Sequence, residues 1–146
     1  MDNSVKELLY NNVLDVIEII KKAYIDTQKY YAEKNEPYDF LYFNMYRTFT
    51  KGYCYQFTRF LRDIYKDAKI AVKDIKYAPI IHIYTVIGDS AYDIKGSRKI
   101  EDLVYLDEDE IKNIEENHYE VPEEVYNVMK NYLDDYLDKY IKDNMK

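Results

Sequence analysis

Tryptophan is absent from this chain, cysteine occurs once, at Cys54, and glycine and proline occur three times each. One cysteine rules out an internal disulfide framework. A chain of 146 residues does not need one, because a domain of that size hides roughly 70% of the surface its unfolded form exposes. So little glycine and proline excludes collagen-like and low-complexity architectures. Neither a Walker-type nor a dinucleotide-binding glycine pattern is present, which removes the commonest phosphate-cradling loops. No apolar run approaches the ~18 residues of a membrane span. The opening MDNSVKELLYNN lacks the basic-then-apolar layout of a signal peptide. The expectation is one domain, 1–146, in a reducing cytoplasm, with no membrane contact.

Of the residues present, 47% are hydrophobic and 34% charged, the balance of a compact, helix-rich protein. The net charge of −7 is unevenly placed: residues 1–100 carry 16 Lys/Arg against 13 Asp/Glu, and residues 101–146 carry 5 against 15. An acidic final third disfavours direct nucleic-acid binding, since a phosphate backbone needs cations facing it. The same third, with part of the 19 tyrosines, suits a basic protein partner, and Glu123, Glu124, Asp134 and Asp135 are its candidate contacts.

Ser4-Val5-Lys6-Glu7 has the capping-box spacing that starts a helix. Apolar residues from Val5 to Tyr31 then follow the 3.6-residue period, predicting an N-terminal helix over 1–36, stopped at Asn35-Glu36-Pro37. Phe57, Phe60, Leu61 and Ile64 place a second amphipathic helix from Cys54. Alternation over Lys69 to Ile75 predicts a strand. APIIHIYTVIGDSAYDIKG predicts a hairpin turning at Gly88-Asp89. With a two-residue loop, Val86 faces Ala91 and Tyr84 faces Asp93. His82 then lies diagonal to Asp93 on one face, while Ile81, Ile83, Ile87, Tyr92 and Ile94 make the other apolar. Asp107 to Glu110 can cap a short helix, and Pro122 opens a last helix within an acidic helical tail over 101–146.

Cys54 follows Gly52-Tyr53 at a helix start, where unpaired N–H groups and the helix dipole favour a thiolate. A histidine can take the thiol proton, and a carboxylate on the far ring nitrogen fixes the tautomer. His82 and Asp93 have the order and the shared face for those tasks. Each alone has an ordinary explanation as a core thiol, a structural strand histidine or a strand end. Their combination is the specific signal. His118, among Glu115, Glu116 and Glu120, has no second histidine or cysteine and reads as a solvated loop rather than a metal ligand.

From Gly52 to Gly96 the chain resembles the core of papain-like and transglutaminase-like cysteine enzymes. GYCYQFTRFL stands for the helix opened by G-x-C, IIHIYTVIGD for the histidine strand, and AYDIKG for the strand ending in aspartate. The resemblance implies an α+β fold: a small antiparallel sheet, a Cys-bearing helix and long terminal helices. It implies Cys54 as acyl-accepting nucleophile, His82 as general base and acid, and Asp93 as the group that orients the histidine, with no cofactor or metal. Papain-type enzymes carry a glutamine shortly before the cysteine; here 44–53 has none, which leaves Asn44, Tyr53 and Gln56 as candidate oxyanion donors beside the Cys54 N–H. The expected activity is acyl transfer on an amide of a protein or peptide: peptide hydrolysis, deamidation or amide exchange. The alternative is a non-catalytic acidic binding protein of the same fold, of the kind a small phage-type inhibitor of a host defence system would be.

Overall fold

The computed structural model describes residues 2–36, 38–42, 44–50, 53–73, 82–117 and 120–145. Seven helices and five strands run in the order α1 (Asn3–Asn11), α2 (Val13–Glu33), α3 (Asp39–Tyr42), α4 (Met45–Thr50), α5 (Cys54–Ile64), β1 (Lys69–Lys73), β2 (Ile83–Ile87), β3 (Ser90–Asp93), β4 (Gly96–Arg98), β5 (Leu103–Tyr105), α6 (Glu108–Asn117) and α7 (Glu123–Asn144) among those residues. The fold is α+β with long terminal helices, as expected. Contacts divide it into two compact units, residues 1–45 with 121–146, and residues 46–120. No helix among the described residues is long and apolar enough to cross a membrane.

The first unit is helical. Its predicted N-terminal helix is two helices, because Asn12 leaves the helical region at φ −134° and ψ 43°. The Asn12 side-chain amide donates to the Leu8 carbonyl at 2.8 Å, and its backbone N–H to the Leu9 carbonyl. That local bonding closes α1, as asparagine does at helix ends. The cap of α1 is Asp2, whose carboxylate accepts from the Ser4 N–H at 2.7 Å. The carboxylate therefore displaces the Ser4 hydroxyl from the expected role.

Val13, Val16, Ile17, Ile20, Ala23, Tyr24, Thr27 and Tyr31 make the buried stripe of α2. Val125, Tyr126, Met129 and Leu133 make that of α7. The two helices pack together, and α7 runs antiparallel to α2: Glu124 lies near Tyr31, Tyr136 bonds Asp26 and Tyr140 bonds Asp15. A buried apolar side chain of this size contributes roughly 1.5–3 kcal/mol, so the stripe outweighs the polar seam beside it. The helix begins at Glu123, with Pro122 as its cap residue.

The second unit is built on a five-stranded antiparallel sheet of order β4-β3-β2-β1-β5. Gly88 takes φ +60° in the β2–β3 turn, the position at which a II′ hairpin needs glycine. The register follows: Ile87 faces Ser90, Val86 faces Ala91 and Thr85 faces Tyr92. One face meets α5, where Thr85 Oγ1 donates to Thr58 Oγ1 at 3.0 Å. There Tyr55, Ile70 and Ile83 form a cluster joined by Val72, Leu106, Ile111 and Ile114. On the other face Ala71, Val86 and Ala91 are covered by Tyr84, Ile100 and Leu103.

The tail over 101–146 is not wholly helical: Leu103–Tyr105 is a strand beside β1. Three residues are too few for alternation to mark, and β4 escaped for the same reason. The acidic run expected to cap α6 does so as a reciprocal box: the Asp107 carboxylate accepts from the Glu110 N–H at 2.8 Å while Glu110 accepts from the Asp107 N–H at 3.2 Å. Gly52, Ile81, His118 and the end of the predicted first strand, 74–75, lie outside the described residues.

The Tyr–Asp seam makes a pH prediction. Tyr136 is pushed up to about 12 by its bond to Asp26 and by burial, and Tyr140 to about 12 by burial and its bond to Asp15. An unfolded chain ionises its tyrosines first, near 10. The seam's stability is therefore whole below ~10 and is lost as pH rises towards ~12. Urea midpoints should fall across that window, and Tyr136→Phe with Tyr140→Phe should lessen the fall, leaving the share of Tyr31 and Tyr55, which are also raised to about 12. An unchanged slope in the double variant would show that the seam is not responsible.

Candidate active site

The three residues singled out by sequence all lie in the α/β unit. His82 stands immediately before β2 and Asp93 ends β3. The hairpin register brings their side chains together: His82 Nε2 lies 2.9 Å from Asp93 Oδ2. An ionised carboxylate can only accept, so Nε2 carries the proton and Nδ1 is the ring's acceptor. Asp93 Oδ1 also accepts the Lys95 N–H at 2.8 Å, which fixes the carboxylate in the turn. Burial pushes the Asp93 carboxyl up. The bonds from His82 and the Lys95 backbone, with the charge of the Lys95 side chain, outweigh it and hold the group below its ordinary range.

The imidazole is braced from a second side. Its ring meets Tyr84 edge-on, 4.5 Å between centroids, and the Arg98 guanidinium lies over Tyr84 at 4.9 Å. Arg98 in turn bonds Asp102. This bracing was not anticipated from sequence, although Tyr84 two residues after His82 on a strand was the available signal.

Cys54 is the first residue of α5, half-buried against the Tyr55, Ile70 and Ile83 cluster. Its sulfur is addressed by the backbone N–H groups of Ile83, Tyr55 and Cys54 itself. Ile83 is the residue after His82, but the two side chains leave the strand on opposite faces. Strand alternation turns the Ile83 side chain towards α5 and the His82 ring towards Tyr84 and Asp93.

One expectation is corrected by the electrostatics. A helix start was expected to lower the thiol's pKa. Here burial pushes it above its ordinary value, and the three N–H groups only partly offset this. The resting sulfur is a neutral thiol, because removing water costs the anion more than a few dipoles return.

The candidate oxyanion donors are scattered. Tyr53 is the half-exposed residue before α5, and Gln56 is buried within α5. Asn44 is exposed and belongs to the helical unit. The carboxylates Glu123, Glu124, Asp134 and Asp135 are exposed on α7.

In comparisons with known proteins, residues 28–146 match the family model described as Phage YunG-like protein, a span that includes all three residues of the candidate site. No curated protein and no solved structure matches the chain.

The neutral thiol sets the expected reactivity. Alkylation of Cys54 by iodoacetamide should be slow near neutral pH and should accelerate only as pH passes the ordinary thiol value of 9.0. A rate that levels off below pH ~8 would contradict the burial-dominated environment.

Proposed function

We propose that the chain, which belongs to the family of Phage YunG-like proteins, is a cysteine-dependent acyl-transfer enzyme acting on amides of proteins or peptides. The observation that carries this reading is the pair of neighbours at the start of β2. His82 is oriented by Asp93 at 2.9 Å, and the next residue, Ile83, offers its N–H to the Cys54 sulfur. His82 precedes the ladder, since the first paired residue of β2 is Ile83. The reading requires the imidazole, which strand alternation turns to the face opposite α5, to come round the strand end to the sulfur during the reaction.

In this reading the Cys54 S–H gives its proton to His82 Nδ1, and the sulfur attacks the amide carbonyl. The carbonyl oxygen takes the negative charge against the Cys54 backbone N–H. As the C–N bond breaks, the imidazolium returns the proton to the departing amine, leaving a thioester on Cys54. Water releases an acid, or an acceptor amine releases a new amide; either route regenerates the thiol. A neutral resting thiol makes His82 indispensable, since no thiolate is stored in advance. The papain-like and transglutaminase-like resemblance over Gly52 to Gly96 supports the same roles.

The test is turnover of peptide and glutamine-amide substrates by wild type, Cys54→Ala and His82→Ala. Cys54→Ala should abolish the thioester, seen by intact-mass trapping, and His82→Ala should slow its formation by roughly 10²–10⁴-fold. Equal activity in wild type and Cys54→Ala would remove the nucleophile assignment.

A second reading is favoured by the exposed α7 carboxylates and the phage family name: an acidic binding protein that occupies a basic partner. Long-range attraction sums over such charges and is screened once the Debye length falls below ~10 Å. Association with a basic partner should then slow steeply with salt and with reversal of Glu123, Glu124, Asp134 and Asp135, while Cys54→Ala leaves it unchanged. Association indifferent to salt and reversal would dismiss this reading.

A further inference from the structure

A cavity of about 330 Å³ opens where α2 ends in the helical unit. Its walls include the rings of Tyr31, Tyr38 and Tyr42, the Gln28 amide and the Glu36 carboxylate. Tyr31 and Tyr38 meet edge-on with centroids 5.1 Å apart, and Tyr30 meets Tyr31 in the same way at 5.0 Å. Gln28 Nε2 donates to the Leu41 carbonyl at 3.1 Å, which ties α3 to α2 and fixes this wall. Asn35, at φ 56°, turns the chain back so that the Glu36 N–H reaches the Tyr31 carbonyl at 3.0 Å. That turn sets Glu36 at the rim.

Most sources of field at this corner are negative, and the Lys34 ammonium is the one described cation beside them. The cavity lies at the C-terminal, negative end of the 21-residue α2. Glu36 is at the rim, and Glu124 reaches Tyr31 from α7. Three tyrosine rings line the wall, and a ring that turns its face to the cavity adds negative quadrupole potential. Tyr31 is pushed up to about 12 by burial and then by Glu124, and Tyr38 upward by burial and then by Glu36. A cation already uses the adjoining ring: the Lys34 ammonium lies 4.4 Å over Tyr30. The Tyr31 hydroxyl is buried in the aromatic wall, with the Glu124 carboxylate as its nearest charged neighbour.

We propose that this cavity is a binding site for an organic ammonium group, carried either by a free amine or by a lysine side chain of a partner protein. The rings take the apolar and cationic surface, and Glu36 supplies the counter-charge. An anion or a neutral apolar ligand does not fit, since the former meets the helix end and carboxylates and the latter leaves Glu36 without use. The site needs nothing from the acyl-transfer chemistry and stands or falls apart from it.

The experiment titrates the full chain with tetramethylammonium chloride against sodium chloride at equal ionic strength, then with a trimethyllysine-containing peptide and its glycine control. The ring signals of Tyr31, Tyr38 and Tyr42 are followed by NMR. Saturable shifts of these rings are expected, with affinity weakened roughly tenfold by Tyr38→Leu and by Glu36→Gln. Tyr42→Ala tests the site with little risk to folding, since Tyr42 is 74% exposed. Saturation by tetramethylammonium assigns a free amine as a sufficient ligand, and saturation by the peptide alone assigns a protein-borne lysine; both support the site. Rings that respond to neither probe beyond sodium, or binding untouched in all three variants, would overturn it.

Discussion

The register of the β2–β3 hairpin is the constraint on which the α/β unit depends. A positive φ at Gly88 pairs Val86 with Ala91, and every other placement in the sheet follows by alternation. A slip of one residue would exchange the two faces. Ile83 and Thr85 would lose α5, and His82 would lose Asp93. The turn chemistry of one dipeptide thus couples the packing of the core to the pairing of the two groups with acid–base capacity. The resulting pair is tied down at both ends, with the Lys95 N–H on Asp93 and the Tyr84 ring on His82.

Much of this was readable in the residues. Phe57, Phe60, Leu61 and Ile64 gave α5 by period, and Gly88-Asp89 between β-branched runs gave both the hairpin and the His82–Asp93 face. Asp107 and Glu110 announced α6. Elements hidden from sequence were those whose cause is not periodic. Asn12 interrupts a perfect apolar stripe by bonding its own chain, and β4 and β5 are strands only because β3 and β1 offer them open edges.

The thiol illustrates a different limit. Sequence shows that Cys54 starts a helix, and the dipole argument from that position is sound. It cannot show how much water the neighbouring Tyr55, Ile70 and Ile83 cluster removes, and desolvation sets the sign. The tyrosines teach a related lesson. Their number does not show where they go: Tyr24, Tyr31 and Tyr65 are fully buried, Tyr42, Tyr46 and Tyr105 are exposed, and Tyr136 and Tyr140 spend their hydroxyls on carboxylates of α2.

The helical unit is assembled from both ends of the sequence, whereas residues 46–120 form one uninterrupted stretch. During synthesis these two halves of the molecule meet different conditions. Every partner in the α/β unit has left the ribosome once the chain has passed residue 120. The apolar stripe of α2 must wait for Val125, Met129 and Leu133, which follow residue 120 in the chain. Throughout that interval Ile17, Ile20 and Tyr24 lack the α7 surface that buries them, and a long loop must close before it arrives. Helix α2 is therefore made before residues 46–120 and completed after them, and its exposed stripe is the segment of a nascent chain on which a chaperone would act.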